Sequence, residues 1–201
     1  MRPDIDTETD PDNWKCTTPP LHVMWKQLED LVKAGKIRSI GVSNCTIPLL
    51  LDLLSYAEIK PAVNQVELHP YHAQPKFHAF HEKFGVKVQC YASIGAGGVT
   101  EKRVEELRQV NAMTDKVIVD IAARLDCTPA QVILAWHLHR GLIPLVKTAT
   151  PARLPENIHA VQIKLTEEDM TAINGMDKGW RFFNPSTWAH WSPLGFFPFF
   201  E

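Results

Sequence analysis

The chain has 201 residues, of which 45% are hydrophobic and 22% charged, and it carries a formal net charge of -2. That length and composition suit a single globular domain, and the near-balanced charge leaves no electrostatic footprint for nucleic acid. No apolar run is long enough to span a bilayer, the acidic start MRPDIDTETDPDNW has no secretory core, and Cys16, Cys45, Cys90 and Cys127 form no C-x-x-C pair, so the expectation is a cytoplasmic protein with reduced thiols and no membrane partner.

Residues 1–20 are acidic and proline-bearing, lack periodicity, and read as a loop. Helical spacing begins at Leu21, Met24, Trp25, Leu28, Leu31 and Val32, and Ala34-Gly35-Lys36 closes it. Residues 37–43 read as a strand and residues 48–56 as a helix. A second strand over 62–68 precedes a helix over 75–84, which Gly85 ends. The third strand covers 86–91; the glycine-rich run Gly95-Ala96-Gly97-Gly98 and a helix-leaning stretch over 101–109 follow. Helices are expected over 114–124 and 128–139, the second opened by the capping box Thr128-Pro129-Ala130-Gln131. Gly141 stops that helix, and residues 142–146 make the fourth strand. Residues 153–160 and 166–174 are the last helices, with Thr166 as a cap. The tail from Trp180 to Glu201 is aromatic but aperiodic, a loop that must pack onto something.

Short strands alternating with helices imply parallel βαβ units, whose functional groups gather at the C-terminal ends of the strands. Those ends carry Ser43 and Asn44, then Asn64, Gln65 and Glu67, then Tyr91 and Ser93, then Lys147 and Thr148. One long, partly polar ligand lying across the ends fits that pattern. The stretch LVKTATPARLPEN, residues 145–157, reads as a strand end, a turn and a helix start, with Thr150 as the cap ahead of Pro151. Lys147 and Arg153 flank the hydroxyls of Thr148 and Thr150 there, and cations beside a helix N-terminus suit a phosphate monoester.

With these residues in view the chain resembles the aldo-keto reductases. Four motifs match in order: GKIRSIGVSN (residues 35–44), KPAVNQVELHPY (60–71), the strand end at Tyr91 with Ser93 and Gly95, and LVKTATPARLPEN (145–157). The resemblance implies an α/β (β/α)8 barrel of the TIM type that binds NADPH in extended form, of which only the last four βα units are present. It implies one partial domain: residues 1–20 as an active-site-side loop, 21–175 as the βα units, and 176–201 as a substrate-side tail.

Carried over by position, Ser43, Asn44 and Gln65 would hydrogen-bond the nicotinamide carboxamide, and Tyr91 would stack on its ring. Lys147, Thr148 and Arg153 would hold the 2′-phosphate, with Thr150 beside them as a further cofactor-side hydroxyl; Glu156 and Asn157 would contact the adenine, and Ser93 lies near the pyrophosphate side. Three departures stand out: Cys45 where an aromatic is usual, Ala92 and Ile94 within the third motif, and Val146 where proline is usual. The family's catalytic Asp, Tyr, Lys and His belong to its first four strands, so no catalytic residue is assigned here. The implied activity is NADPH-dependent reduction of small aldehydes or ketones, including sugar aldehydes.

The rival readings are weaker. His69, His72, His78 and His81 resemble metal-ligand spacing, but satisfied or exposed histidines are the preferred reading and no metal site is assigned. The GAGG run lacks the lysine of a phosphate loop, and Ser43 and Ser93 lack a His/Asp pattern for hydrolysis. Three hypotheses remain: a reductase completed elsewhere, a nucleotide- or partner-binding remnant without catalysis, and an incomplete gene product. The isolated chain is expected not to reduce aldehydes and to self-associate through its outer strands, 37–43 and 142–146.

Overall fold

The computed structural model describes residues 19–95 and 111–183. Residues 1–18, most of the glycine-rich run, the 101–109 stretch and the tail beyond residue 183 lie outside the described residues. Two compact units are present: of the described residues, one holds 19–38, 48–59 and Phe183, and the other holds 39–47, 60–95 and 111–182.

The first unit is built on α1 (Leu21–Lys33) and α2 (Ile47–Tyr56). Trp25 is buried and its indole N–H donates to Ile59 O at 3.1 Å. Glu29, also buried, accepts from the backbone N–H groups of Glu58 and Ile59 at 2.9 and 3.0 Å. A carboxylate removed from water needs such donors, and here they lie just beyond the end of α2.

The second unit contains a four-stranded parallel sheet in the order β1-β2-β3-β4, made of β1 (Val42–Ser43), β2 (Val63–Glu67), β3 (Lys87–Tyr91) and β4 (Ile143–Pro144). The α3 helix (Pro75–Phe84) connects β2 to β3. Between β3 and β4 lie α4 (Lys116–Arg124) and α5 (Pro129–His139); α6 (Arg153–His159) and α7 (Glu167–Asn174) follow β4. The order confirms an α/β fold with a parallel sheet. Val66, Leu68, Val88, Cys90, Ile118, Ile133, Trp136 and Leu142 are among the buried core side chains. The α5 helix is buried from Gln131 through His137, and its apolar composition all round is what such a position requires.

Local signals set several boundaries. Gly85 ends α3 in the left-handed region at φ 73°. The Thr128–Gln131 capping box opens α5, and a second box, Thr166–Asp169, opens α7. Elsewhere the structure departs from the sequence reading. The strand expected over 37–43 forms a ladder only at Val42–Ser43. Ahead of it Ile40 O still accepts from Ala62 N at 2.8 Å, but the backbones then converge until a Cβ on Gly41 would sit 2.6 Å from Val63 Cγ2. The strand expected over 142–146 shrinks to Ile143–Pro144, because Pro144 brings no N–H to the ladder. The helix expected from residue 114 starts at Lys116, where the Asp115 carboxylate caps Val117 N at 3.0 Å. None of the described helices is long and apolar enough to cross a membrane.

Candidate functional site

Strand alternation sorts β2 by face. In the ladder Ser43 lies opposite Gln65, Gln65 opposite Gln89, and Glu67 opposite Tyr91. Gln65 Nε2 donates to Gln89 Oε1 at 2.7 Å. Just past β1, Asn44 adopts φ 52°, a conformation that asparagine tolerates better than most side chains. Its backbone N–H donates to Gln65 O at 2.8 Å, as does the Ser43 hydroxyl at 3.0 Å. Asn44 Nδ2 donates to Ser43 Oγ at 3.2 Å, and Asn44 Oδ1 accepts from the Tyr91 hydroxyl at 3.0 Å. The structure thus joins Ser43, Asn44, Gln65 and Tyr91 into one polar patch at the ends of β1, β2 and β3. Burial, reinforced by the Glu67 carboxylate, pushes the Tyr91 phenol up to about 12, so the ring stays neutral.

A cleft of about 250 Å³ lies beyond β4, lined by Lys147, Thr148, Arg153, Glu156 and Asn157. Lys147 and Arg153 are exposed, while Glu156 and Asn157 are half-buried. The charged and amide groups expected at this end therefore share one concave surface. Its other walls were not read from the sequence: Met113, Thr114, Thr128, Pro129 and Ala130. The capping box marked Thr128 as a helix start, but spacing could not say what that start faces. Gln131 fixes the wall, since its side chain accepts from Thr128 N at 2.9 Å and donates to Glu156 O at 2.9 Å.

Two sequence expectations change. Thr150 does not cap a helix: the N-cap of α6 is Ala152, without a side-chain bond, and the helix is only seven residues long. Thr150 N instead donates to Thr148 Oγ1 at 3.1 Å, closing a turn, and Thr150 is not among the cleft's lining residues. The cations on this surface are the Lys147 and Arg153 side chains, without a capped helix start beside them. Ser93 is buried to 1% exposure, its hydroxyl placed 2.7 Å from Cys90 O and 2.8 Å from Leu145 O while it accepts from Leu145 N at 3.0 Å. That hydroxyl welds the end of β3 to the end of β4.

Two of the four histidines make buried structural contacts, while His69 Nδ1 and His72 Nε2 are buried without a hydrogen-bond partner. His69 Nε2 lies 3.0 Å from Glu67 Oε1, and His81 lies between Asn64 Nδ2 at 2.9 Å and Phe77 O at 2.8 Å. Among the described residues no three His, Cys, Asp or Glu side chains are grouped to hold a metal. Buried Glu67 also accepts from Phe182 N at 2.6 Å, and Tyr71 O accepts from both Lys178 N and Trp180 N. The Tyr71 phenol donates to Asp115 Oδ2 at 2.9 Å, and burial together with that bond pushes it well above the ordinary tyrosine range.

Comparison with known proteins bears on this arrangement. Residues 7–178 match the aldo/keto reductase family. The chain is 43% identical over 182 residues to an NAD(P)H-dependent D-xylose reductase of Candida tenuis, covering 89% of this chain and 56% of that protein. It is 35% identical over 165 residues to aldose reductase B of Dictyostelium discoideum, covering 82% of this chain and 50% of that protein. A solved aldose reductase of Giardia lamblia superposes with a TM-score of 0.79 at 35% identity, covering 92% of this chain and 58% of that one. The chain thus spans about half the length of the curated relatives it matches.

Proposed function

This chain belongs to the aldo/keto reductase family, and we propose that it supplies the NADPH-binding side of a reductase for small aldehydes and ketones, sugar aldehydes included. On this reading its βα units are the last four of a (β/α)8 barrel, with residues 176–201 on the substrate side. One observation carries the proposal: Lys147, Thr148, Arg153, Glu156 and Asn157 line a single cleft beyond β4, on the same parallel sheet whose β1 and β3 ends carry a patch of amides, hydroxyls and one neutral aromatic ring.

The donor chemistry fits the cofactor. Lys147 and Arg153 suit a phosphate monoester, Arg153 by its planar fork and Lys147 as a point charge. Glu156 and Asn157 offer an acceptor and an amide to the edge of a purine. Ser43, Asn44 and Gln65 orient a carboxamide, and Tyr91 presents a flat face to a ring. Ser93 acts indirectly, by holding the strand that leads to Lys147. NADPH, when bound, supplies a hydride. None of the described residues is assigned as the general acid, since Tyr71 and Tyr91 are both pushed upward and already donate to Asp115 and Asn44.

Dissociation constants for NADPH and NADH, measured by fluorescence quenching on the chain, test the reading. We expect a clear preference for NADPH. Equal affinities, or a preference for NADH, would sink the assignment of Lys147 and Arg153.

A further inference from the structure

The Asn44 carboxamide and the Tyr91 ring are useful only if the short segment after β1 stays in its left-handed turn. A side chain on the neighbouring strand holds it there. Asn64 is fully buried on β2. Its Oδ1 accepts from Cys45 N at 3.3 Å and its Nδ2 donates to Cys45 O at 2.8 Å, so one amide clamps both backbone groups of a single residue. The second Nδ2 hydrogen goes to His81 Nε2 at 2.9 Å. His81 is itself fully buried on α3, and its Nδ1 lies 2.8 Å from Phe77 O.

Only one arrangement satisfies every group. The carbonyl of Phe77 can only accept, so at 2.8 Å His81 carries its hydrogen on Nδ1 and leaves Nε2 as an acceptor. That acceptor fixes which end of the Asn64 amide faces it, and the amide orientation fixes Cys45. Cys45 follows Asn44 directly, so pinning both Cys45 backbone groups restricts the turn at Asn44 φ 52°. That turn in turn places Asn44 Oδ1 under the Tyr91 hydroxyl.

We infer that Asn64, oriented by His81, is a positioning residue for the nicotinamide end of the site. It reaches a ligand only through Asn44 and Tyr91, and the inference rests on the cofactor reading above. It makes a directional claim. Disturbing the Asn64–His81 pair should loosen recognition of the nicotinamide while leaving the Lys147–Arg153 cleft untouched.

Two ligand probes separate these ends on the full chain: NADPH, and adenosine 2′,5′-bisphosphate, which lacks the nicotinamide. Asn64→Asp keeps the shape but removes both donated hydrogen bonds. It should weaken NADPH by about tenfold or more, the equivalent of a net hydrogen bond or two, with the bisphosphate within about twofold of wild type. His81→Gln places an acceptor near the Nε2 position and should retain most NADPH affinity, whereas His81→Asn, whose amide reaches only the Nδ1 position, should not. Amide hydrogen exchange gives a readout free of ligand. Asn64→Asp should speed exchange at Asn44 and Cys45 while the Gln65–Gln89 ladder stays protected. Equal loss of both probes, no loss of either, or unchanged exchange at Cys45 would overturn the positioning role. A wild-type chain that binds neither probe would instead overturn the cofactor reading and, with it, this role.

Discussion

At the scale of single residues the site divides into groups that would touch a ligand and groups that hold those groups. Arg153 belongs to the first kind, exposed on the wall of the cleft. Arg153→Ala should weaken NADPH by roughly 1.5–3 kcal/mol, the worth of a hydrogen bond to a charged group, and leave NADH nearly unchanged in the same titration. On the proposed reading Tyr91 belongs to both kinds, since its ring would stack on the nicotinamide while its hydroxyl donates to Asn44. Tyr91→Phe keeps the ring and loses that bond, so NADPH affinity should fall by about 1 kcal/mol. Tyr91→Ala should lose that and the stacking contribution as well. If Phe and Ala were equally damaging in a binding titration, the ring would have no stacking role.

At the scale of elements, capping chemistry links stability to the site. Thr128 opens α5 through a reciprocal pair with Gln131, and the same Gln131 reaches Glu156 O. Thr128→Ala should lower unfolding free energy by about 1 kcal/mol, read from the urea midpoint at constant m-value. Boundaries set by such local chemistry were legible in the sequence: Gly85 after α3, Thr128 with Gln131, and Thr166 ahead of α7. The extents of β1 and β4 were not, because they depend on how closely Gly41 approaches Val63 and on the missing donor at Pro144. Thr150-Pro151 carries a good cap signal, yet the Thr148 hydroxyl captures Thr150 N first and the helix starts later. The chemistry of the cleft was readable from Lys147 and Arg153. Its Thr128 wall and the Asn64–His81 brace were not, since both depend on partners brought together only by folding. The same two short strands bear on association. Two-residue ladders at either side of the sheet, one containing proline, offer less to a neighbouring chain than the longer strands expected from the sequence.

At the scale of the whole molecule, buried imidazoles set the response to acid. Burial pushes His137 down to about 4, against the carbonyls of Ile133 and Leu68, which face its two ring nitrogens and favour the charged form. Burial, aided by Arg181, takes His72 to about 4 as well. An unfolded histidine titrates near 6.5, so between these limits the unfolded chain binds protons that the folded chain does not. The contribution of both rings is therefore fully present above roughly pH 6.5 and is lost as pH falls toward their folded values. Burial lowers His78 and His81 as well, so urea unfolding across this window should show stability falling as pH falls, with a slope above about one proton per molecule, and a flat profile would contradict the neutral burial of these rings. The bond from Phe182 N to Glu67 has a different kind of consequence, because it spans 115 residues of sequence. A ribosome adding about 5–20 residues per second takes roughly 6–23 s to cross that gap. Throughout that interval the nascent β2 carries a carboxylate without its final donor, and Tyr71 O awaits Lys178 and Trp180. The strand that organises the site is thus made early in synthesis and sealed late, only once Lys178, Trp180 and Phe182 have followed it.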